Sequence, residues 1–341
     1  MIIQGDALTE LKKLPSDSVD CCVTSPPYYR LRDYGAIGQI GLENSVQEYI
    51  EKLVAVFNEV KRVIKLDGTL WINIADCYAG SGKGAAKYPD NAKLYKQGTN
   101  KGMLGSGIAR NDAEGCKPKD LIGIPWLLAF ALRADGWYWR QVNIWEKPNC
   151  MPESANDRCT NSHEYILMFS KSARYYFDYK SIQEPCVGFN NDPPAGSKGT
   201  FRPNSRRRSK NRKSFRGGGT YTQNGPFNNS EGKKNETHGN TPNDTGLRRK
   251  RSVWHVSTVG SKYNHYATFP SKLIEPCILA CSREGGKVLD PFAGTGTTGE
   301  VARNHNRDYI LIDILKDNIE ICHQRLDIEQ VTMFGISENK N

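Results

Sequence analysis

Long apolar runs, export signals and clustered cysteines are all missing from this sequence. No stretch approaches the roughly 18 apolar residues of a membrane span, and Met1–Asp6 does not resemble a signal peptide. None of the 10 cysteines form a Cys-x-x-Cys pair, and the spacing of Cys277 and Cys281 is that of a helix face rather than of metal ligands. We therefore expect a cytoplasmic protein with reduced thiols, no membrane contact and no metal.

Acidic residues are scarce in one segment. Residues 198–251 contain 15 Lys and Arg but only three acidic residues, which gives a local charge of +12. The remaining residues, with 32 basic and 34 acidic side chains, are close to neutral, although the whole chain carries +10. A positive field confined to one segment indicates a polyanionic partner.

Predicted strands alternate with predicted helices along the rest of the chain. Val19–Val23 is an apolar, β-prone run typical of a buried parallel strand. Ser45-x-x-Glu48 is a capping box that begins an amphipathic helix. We expect Asp67-Gly68 to end that helix before a strand at Thr69–Ile74. The alternation predicts an α/β architecture, in which helices cover both faces of a largely parallel sheet.

The first candidate site is Ser25-Pro26-Pro27-Tyr28, which follows the predicted strand Val19–Val23. The two prolines stiffen the backbone and provide no N–H, so we expect their carbonyl groups to be unpaired. The Ser25 hydroxyl and the Pro26 carbonyl would then be acceptors beside the flat face of Tyr28. A planar group with an amine, such as a nucleobase, would stack on the ring and donate to these acceptors. A tight turn with a core tyrosine is the alternative.

The second candidate site follows the predicted strand Lys287–Asp290. Gly294–Gly299 matches the pattern G-x-G-x-x-G, which lets a ligand approach the backbone closely. Asp313 ends the next strand and could accept hydrogen bonds from ribose hydroxyls. The pattern suits NAD or S-adenosylmethionine, and glycines that only pack helix against strand are the alternative. Asp290 would repel a pyrophosphate and suit an ammonium group, which favours S-adenosylmethionine.

Together the two sites resemble the motifs of amino-group DNA methyltransferases, which modify an exocyclic nitrogen of cytosine or adenine. Ser25–Tyr28 resembles the catalytic motif of this family, and Asp290–Gly296 resembles its cofactor loop. The catalytic motif comes first, the basic segment second and the cofactor motif last, an order similar to that of the permuted β group. The resemblance implies a Rossmann-like methyltransferase fold with a mostly parallel seven-stranded sheet and a circularly permuted motif order.

The resemblance also assigns roles to residues, with S-adenosyl-L-methionine as the cofactor. Gly5–Leu8 resembles the turn whose acid meets the adenine amino group, and His265–Pro276 resembles the segment around the methionine end. Trp145–Asn149 and His163–Tyr165 are similar to segments of the catalytic half. The catalytic residues are expected to be Ser25, Pro26, Pro27 and Tyr28. The residues expected to bind the cofactor are Asp6, Phe269, Pro270, Asp290, Phe292, Ala293, Gly294, Thr295, Gly296, Thr297 and Asp313.

The expected organisation is one methyltransferase domain interrupted by an insert. Residues 1–192 form its catalytic half, with a mobile loop at 79–118, and residues 253–330 form its cofactor-binding half, before a tail at 331–341. Residues 193–252 are the basic target-recognition insert, which we expect to be partly disordered. Solvated, flexible charge is the alternative for this insert. Its residues expected to contact DNA are Arg206, Arg207, Arg208, Lys210, Arg212, Lys213, Arg248, Arg249, Lys250 and Arg251.

The predicted activity is methyl transfer from S-adenosylmethionine to N4 of a flipped-out cytosine in a specific DNA site. In the family, Ser at the first motif position more often accompanies cytosine N4, whereas Asp accompanies adenine N6. Adenine N6 is therefore the nearest alternative. Methylation at cytosine C5 is disfavoured, because that reaction needs a cysteine nucleophile in a Pro-Cys dipeptide. The chain has two such dipeptides, Pro185-Cys186 and Pro276-Cys277, and neither follows a predicted strand of the catalytic half.

Double-stranded DNA is the expected partner, and the resemblance also allows a homodimer and a cognate restriction endonuclease. It places the chain in a prokaryotic or phage-encoded setting, associated with the nucleoid. An inactive nucleic-acid-binding protein, an NAD oxidoreductase and an enzyme acting on RNA or protein glutamine stay open as other classes. The intact Ser25, Asp290 and Asp313 argue against the inactive protein, and an oxidoreductase leaves the Ser-Pro-Pro-Tyr motif unexplained.

Overall fold

The computed structural model describes residues 1–31, 34–80, 114–153, 155–185, 247–259 and 269–334. Most of the expected loop at 79–118, most of the basic insert and residues 335–341 lie outside these ranges. The chain divides into two compact units. The first contains Met1–Ile182 and Lys250–Asn341, and the second contains Gln183–Arg249, compared with 193–252 for the expected insert.

Ten strands occur in the described ranges. Eight of them form one sheet in the first unit, and two form an antiparallel pair in the second unit. In chain order they are β1 (Ile2–Gln4), β2 (Val19–Thr24), β3 (Ile64–Ile74), β4 (Tyr138–Glu146), β5 (His163–Ser170), β6 (Glu184–Pro185), β7 (Leu247–Arg248), β8 (Val253–His255), β9 (Lys287–Asp290) and β10 (Asp308–Asp313).

The large sheet has the order β1-β10-β9-β2-β3-β5-β4-β8. Strand β5 is antiparallel to both of its neighbours, and every other pair is parallel. This arrangement confirms the expected α/β fold with a mostly parallel sheet. The sheet has eight described strands instead of the expected seven, because the three-residue strand β8 adds to the edge beside β4.

Six helices are described, and they cover both faces of the sheet. They are α1 (Ala7–Lys13), α2 (Val46–Val63), α3 (Ile124–Ala134), α4 (Ser271–Cys281), α5 (Thr297–Asn304) and α6 (Lys316–Phe334). Helix α6 continues through the first four residues of the expected tail. None of the helices in the described ranges is long and apolar enough to cross a membrane.

Strand β2 shows how one run of residues serves both faces. Because successive side chains of a strand point to opposite sides, Cys22 packs in a core with Leu53 of α2 and Leu128 of α3. Cys21 and Val23 pack on the other face, in the core that contains residues of α4 and α5. All six residues of β2 are buried, which explains why its sequence does not alternate regularly between apolar and polar residues. Asp20 and Thr24 are polar, but they are buried like the other four.

Helix α2 begins where the capping box predicts, since the Ser45 hydroxyl accepts a hydrogen bond from the Glu48 N–H at 3.1 Å. It ends earlier than expected, at Val63, and β3 follows directly from Ile64. The expectation that the Asp67-Gly68 turn separates the two elements is therefore wrong. Gly68 instead lies within the strand, where a Cβ atom would come within 2.7 Å of the Asp20 carbonyl oxygen.

Candidate active site

Both candidate motifs lie at the carboxyl edge of the sheet, beside one cleft. Strands β2 and β9 are neighbours in the sheet. From β2 the chain continues to β3 on one side, whereas from β9 it continues to β10 on the other. Open α/β sheets bind ligands at such a reversal of strand order, outside the carboxyl ends of the strands. The segments that follow β1, β2, β9 and β10 all line the cleft.

Most of the residues singled out in the sequence line this cleft. All four residues of the Ser25–Tyr28 motif do so. Eight of the residues expected to bind the cofactor also do so: Asp6, Phe269, Phe292, Ala293, Gly294, Thr295, Thr297 and Asp313. The other three, Pro270, Asp290 and Gly296, are not among the lining residues.

Asp290 is buried beneath the cleft, where it connects the two motifs. Its Oδ1 accepts hydrogen bonds from the Thr24 hydroxyl at 2.6 Å and from the Phe292 N–H at 3.1 Å. Its Oδ2 accepts one from the Thr298 hydroxyl at 2.6 Å. Burial raises the pKa of Asp290 to about 6, against the lowering effect of these hydrogen bonds. The expectation that Asp290 suits a ligand's ammonium group stays a prediction.

The glycine-rich turn between β9 and α5 requires left-handed backbone at two positions. Gly294 has φ +52° and Gly296 has φ +79°, values that glycine adopts at little cost. A Cβ atom on Gly296 would lie 2.9 Å from the Cys322 sulfur. Gly296 therefore packs the turn against α6, which corresponds to the packing alternative, whereas Gly294 borders the cleft.

Two carboxylates lie where β1 and β10 end side by side. Asp313 Oδ2 accepts a hydrogen bond from the Gly294 N–H at 2.8 Å, and its Oδ1 accepts from the Leu315 N–H and the Asn318 amide. Burial raises the pKa of Asp313. Asp6 Oδ1 caps α1 through the Thr9 N–H at 2.9 Å. The pairing of β1 with β10 thus brings an acid from each end of the chain to the same cleft.

The Ser-Pro-Pro-Tyr turn is supported from two sides. The Tyr49 hydroxyl of α2 donates a hydrogen bond to the Pro27 carbonyl at 2.8 Å, so the expectation of unpaired carbonyl groups is wrong for Pro27. The Tyr28 hydroxyl donates to Glu164 Oε2 at 2.7 Å. Burial, and then the Glu164 carboxylate, raise the pKa of Tyr28 well above its ordinary value, so its phenol stays neutral.

Sequence reasoning missed one wall of the cleft. The irregular segment after the motif contributes Leu31, Tyr34, Gly38, Gln39 and Ile40 to the lining. The Gln39 side chain holds this segment together, since its Oε1 accepts a hydrogen bond from the Tyr34 N–H at 2.8 Å. The segment has no hydrophobic period and no motif, so nothing in its sequence indicates the cleft.

The lining has the chemistry that an adenosine group requires. Asp6 and Asp313 provide carboxylate acceptors for amino and hydroxyl groups. Phe292, Ile314 and Leu315 provide apolar surface for a purine in the same lining, and Gly294 presents no side chain to the cleft. Within the described ranges, no group of three or more His, Cys, Asp or Glu side chains could hold a metal ion.

The basic residues expected to contact DNA are only partly described. The six between Arg206 and Lys213 lie outside the described residues. In the second unit, Arg248 Nε donates to Glu184 Oε1 at 2.9 Å. In the first unit, Lys250 Nζ lies 5.2 Å from the centre of the Trp254 ring. DNA contacts for this set stay a prediction.

Solved structures with a similar fold define the class of protein. A PvuII DNA methyltransferase (cytosine-N4-specific) aligns with a TM-score of 0.56 and 16% identity over 95% of this chain and 85% of that chain. A putative DNA modification methylase from Thermus thermophilus, complexed with S-adenosyl-L-methionine, aligns with a TM-score of 0.53 and 19% identity over 96% and 93%. The fold is that of the S-adenosylmethionine-dependent methyltransferases.

Sequence comparison then gives the family. A family model described as DNA methylase, for N6 and N4 methyltransferases, matches residues 19–324. The Type II methyltransferase M.Cfr9I of Citrobacter freundii is 39% identical over 337 residues, which are 98% of this chain and 90% of that protein. The chain belongs to the N6/N4 DNA methylase family, as the motif resemblance predicted. It is a Type II DNA methyltransferase of the kind found in restriction-modification systems, with S-adenosylmethionine as its cofactor.

The buried Asp290 predicts a specific dependence of stability on pH. Because the folded pKa of about 6 lies above the ordinary 3.8, the folded chain binds this proton more tightly than the unfolded chain. The stabilisation of the folded chain by this bound proton is complete below the ordinary pKa of 3.8 and is lost as the pH rises through the folded pKa of about 6. In Asp290→Asn this term is absent, so the difference in unfolding free energy between the two proteins should change by up to about 3 kcal/mol between pH 4 and pH 7.

Urea unfolding at several pH values measures this difference. The exposed Asp317 of α6 is the matched control, and Asp317→Asn should run parallel to the unsubstituted protein. An Asp290→Asn curve that also runs parallel would contradict the shifted pKa.

Alanine substitutions at two glycines with the same left-handed backbone conformation distinguish the cost of backbone strain from the cost of a steric clash. Gly285 (φ +71°) has open space where a Cβ would be, whereas Gly296 (φ +79°) has the Cys322 sulfur there. Gly285→Ala should cost about 1 kcal/mol of unfolding free energy for the left-handed conformation. Gly296→Ala should cost at least about 1 kcal/mol more and weaken S-adenosylmethionine binding, as measured by denaturation and calorimetry. Equal losses in the two variants would rule out the packing contact.

Proposed function

We propose that this DNA methyltransferase transfers the methyl group to N4 of a cytosine flipped out of the duplex. One observation carries the proposal: Ser25–Tyr28, the glycine-rich turn and Asp313 line a single cleft. The choice of cytosine rests on Ser25 at the first position of the motif, which in the family more often accompanies cytosine N4. A target base inside a duplex cannot reach such a cleft, so the base must leave the stack.

Ser25 and Pro26 would act on the amine that is methylated. An exocyclic amine conjugated with its ring is a poor nucleophile, because its lone pair is delocalised. Acceptance of its two N–H bonds by the Ser25 hydroxyl and the Pro26 carbonyl would favour a tetrahedral nitrogen and stabilise the positive charge that develops on it. As the N–C bond forms, the S–C bond of the methyl donor would break and a neutral thioether would leave. The cationic nitrogen would release its proton to water only after it is methylated, so a strong base is not needed beforehand.

Tyr28 and the supports of the turn would orient the base. The neutral phenol ring lines the cleft and offers a flat face for stacking. The hydrogen bond from Tyr49 to the Pro27 carbonyl fixes the turn that carries the acceptors. Such fixed geometry lowers the entropic cost of bringing the amine and the methyl donor into line.

The cofactor would be held by the residues around the glycine-rich turn, and when bound it supplies an activated methyl group. Asp313 would accept hydrogen bonds from the ribose hydroxyls, and Asp6 would accept from the adenine amino group. Phe269 lines the cleft and Pro270 follows it at the start of α4, where the resemblance assigns the methionine end. Asp290 would act indirectly, because it holds the ends of β2 and β9 together.

Adenine N6 is the second candidate target, since a serine hydroxyl could accept a hydrogen bond from either amine. The residues 193–252 would form the target-recognition insert, between halves at 1–192 and 253–330. Homodimer formation, a cognate restriction endonuclease and a cytoplasmic, nucleoid-associated location stay predictions from the sequence.

Nucleoside mass spectrometry tests the proposed target. DNA incubated with the protein and S-adenosylmethionine should contain N4-methylcytosine, and Ser25→Ala should reduce its rate of formation by about a hundredfold, the typical effect of removing one stabilising contact. Ser181→Ala, at a residue that does not line the cleft, should leave the rate unchanged. Detection of N6-methyladenine instead would identify adenine as the target base. An unchanged rate in Ser25→Ala would refute the proposed role of Ser25.

Salt dependence of binding tests the insert. If its basic residues contact phosphates, the logarithm of the DNA association constant should fall steeply with the logarithm of the salt concentration, by about 0.9 per contact. Replacement of Arg206–Arg208 by Gln should make this slope shallower by up to about 2.7. The exposed Lys12, Lys52 and Lys316, replaced by Gln together, are the charge-matched control and should leave the slope unchanged. A flat salt dependence of the unsubstituted protein would contradict the DNA-binding role.

A further inference from the structure

Glu164 lies behind the cleft, and its carboxylate is the centre of a small polar cluster. Its Oε2 accepts hydrogen bonds from the Tyr28 hydroxyl at 2.7 Å and from the Asn73 amide at 3.0 Å. Its Oε1 forms an ion pair with Lys147 Nζ. The side chains of Lys147 and Glu164 are only 20% and 13% exposed. Of these four side chains, only Tyr28 lines the cleft.

The sheet topology brings this cluster to the active edge. Strand β5 is antiparallel to β3 and β4, so its first residues lie beside the last residues of its neighbours. Glu164 is therefore opposite Trp145 near the end of β4, and Tyr165 is opposite Ile74 at the end of β3. Of the strands in the described part of the large sheet, β5 alone brings its beginning to this edge.

Stability does not explain this arrangement well. Withdrawing a lysine and a glutamate from water costs free energy that their mutual attraction often fails to recover. The Lys147 ammonium has a second contact, 4.5 Å from the centre of the Trp145 ring, which holds it in place. The Lys147 ammonium pairs with one carboxylate oxygen of Glu164 while Tyr28 donates to the other, and a carboxylate is a stronger acceptor for a phenol than a neutral group.

We propose that Glu164 is a positioning residue for methyl transfer, which holds the Tyr28 ring in the orientation that receives the target base. This inference rests on the proposed function, because it assumes that Tyr28 stacks on the base beside Ser25. Asn73 on β3 and Lys147 directly after the end of β4 hold the carboxylate from its two sides. Glu164 itself touches neither the base nor the cofactor.

A hydrogen-bond cycle between Glu164 and Tyr28 tests the proposal. Glu164→Gln keeps the size of the side chain but removes its charge, and Tyr28→Phe removes the hydroxyl but keeps the ring. Each should slow single-turnover methyl transfer to duplex DNA by about tenfold to a hundredfold, the value of a hydrogen bond to a charged group. The double variant should be no slower than the slower single variant, because Glu164 acts through the Tyr28 hydroxyl. The dissociation constant of S-adenosylmethionine should change less than about twofold.

The control is Glu146→Gln, at the end of β4. Glu146 pairs with the exposed His255 and does not contact Tyr28, so this variant should transfer the methyl group at the unsubstituted rate. A second readout needs no activity: the Cζ resonance of Tyr28 in protein carrying ¹³C-labelled tyrosine, assigned by its loss in Tyr28→Phe. Glu164→Gln should shift this resonance, and Glu146→Gln should not.

The outcomes separate the positioning role from the proposed function. Methyl transfer by Glu164→Gln at the unsubstituted rate, additive losses in the double variant or an unmoved Tyr28 resonance would each overturn the positioning role. Loss of cofactor affinity in Glu164→Gln would show that Glu164 maintains the structure of the whole cleft, and this result would also overturn the positioning role. Failure of the unsubstituted protein to methylate DNA would instead overturn the proposed function.

Discussion

The candidate active site depends on the hydrogen bonds of one buried carboxylate. Asp290 accepts from Thr24 at the end of β2 and from Thr298 at the start of α5, so it ties the strand before the catalytic motif to the helix after the glycine-rich turn. Its burial is unfavourable for a charge, as its raised pKa shows. Three hydrogen bonds offset part of this cost. They set the distance between the segment that would hold the base and the segment that would hold the cofactor.

The sheet makes the order of the motifs in the chain unimportant for the site. Parallel strands bring every carboxyl end to one edge, so the first strand, β1, can deliver Asp6 next to Asp313 of the last strand, β10. The permuted order of catalytic and cofactor motifs therefore gives one cleft. The reversed strand β5 adds a different group to the same edge, since it presents its first residues there. Glu164 reaches Tyr28 for this reason.

The sequence predicted helices and strands well where the signal is local. The β-prone run of β2 and the capping box of α2 gave the correct elements, because strand propensity and helix capping are properties of residues close together in the chain. The boundary at Asp67-Gly68 was wrong, since Gly68 is required by close approach to the Asp20 carbonyl and not by a turn. A glycine between two predicted elements can mark either a turn or a close approach of another backbone segment. The sequence alone does not distinguish these two explanations, because the neighbouring strand is distant in the chain.

Residue types and their local spacing were enough to predict the fold class, the two candidate sites and the location of the excess charge. The family came from the resemblance of the two motifs to those of known enzymes. The sequence did not reveal that Asp290 lies beneath the cleft, that Tyr49 donates to the Pro27 carbonyl or that Glu164 accepts from Tyr28, and these contacts became visible in the folded chain. The partners in these contacts are separated by 266, 22 and 136 positions in the chain. Such contacts depend on strand order and register, which are set by the packing of the whole sheet and leave no local pattern in the sequence.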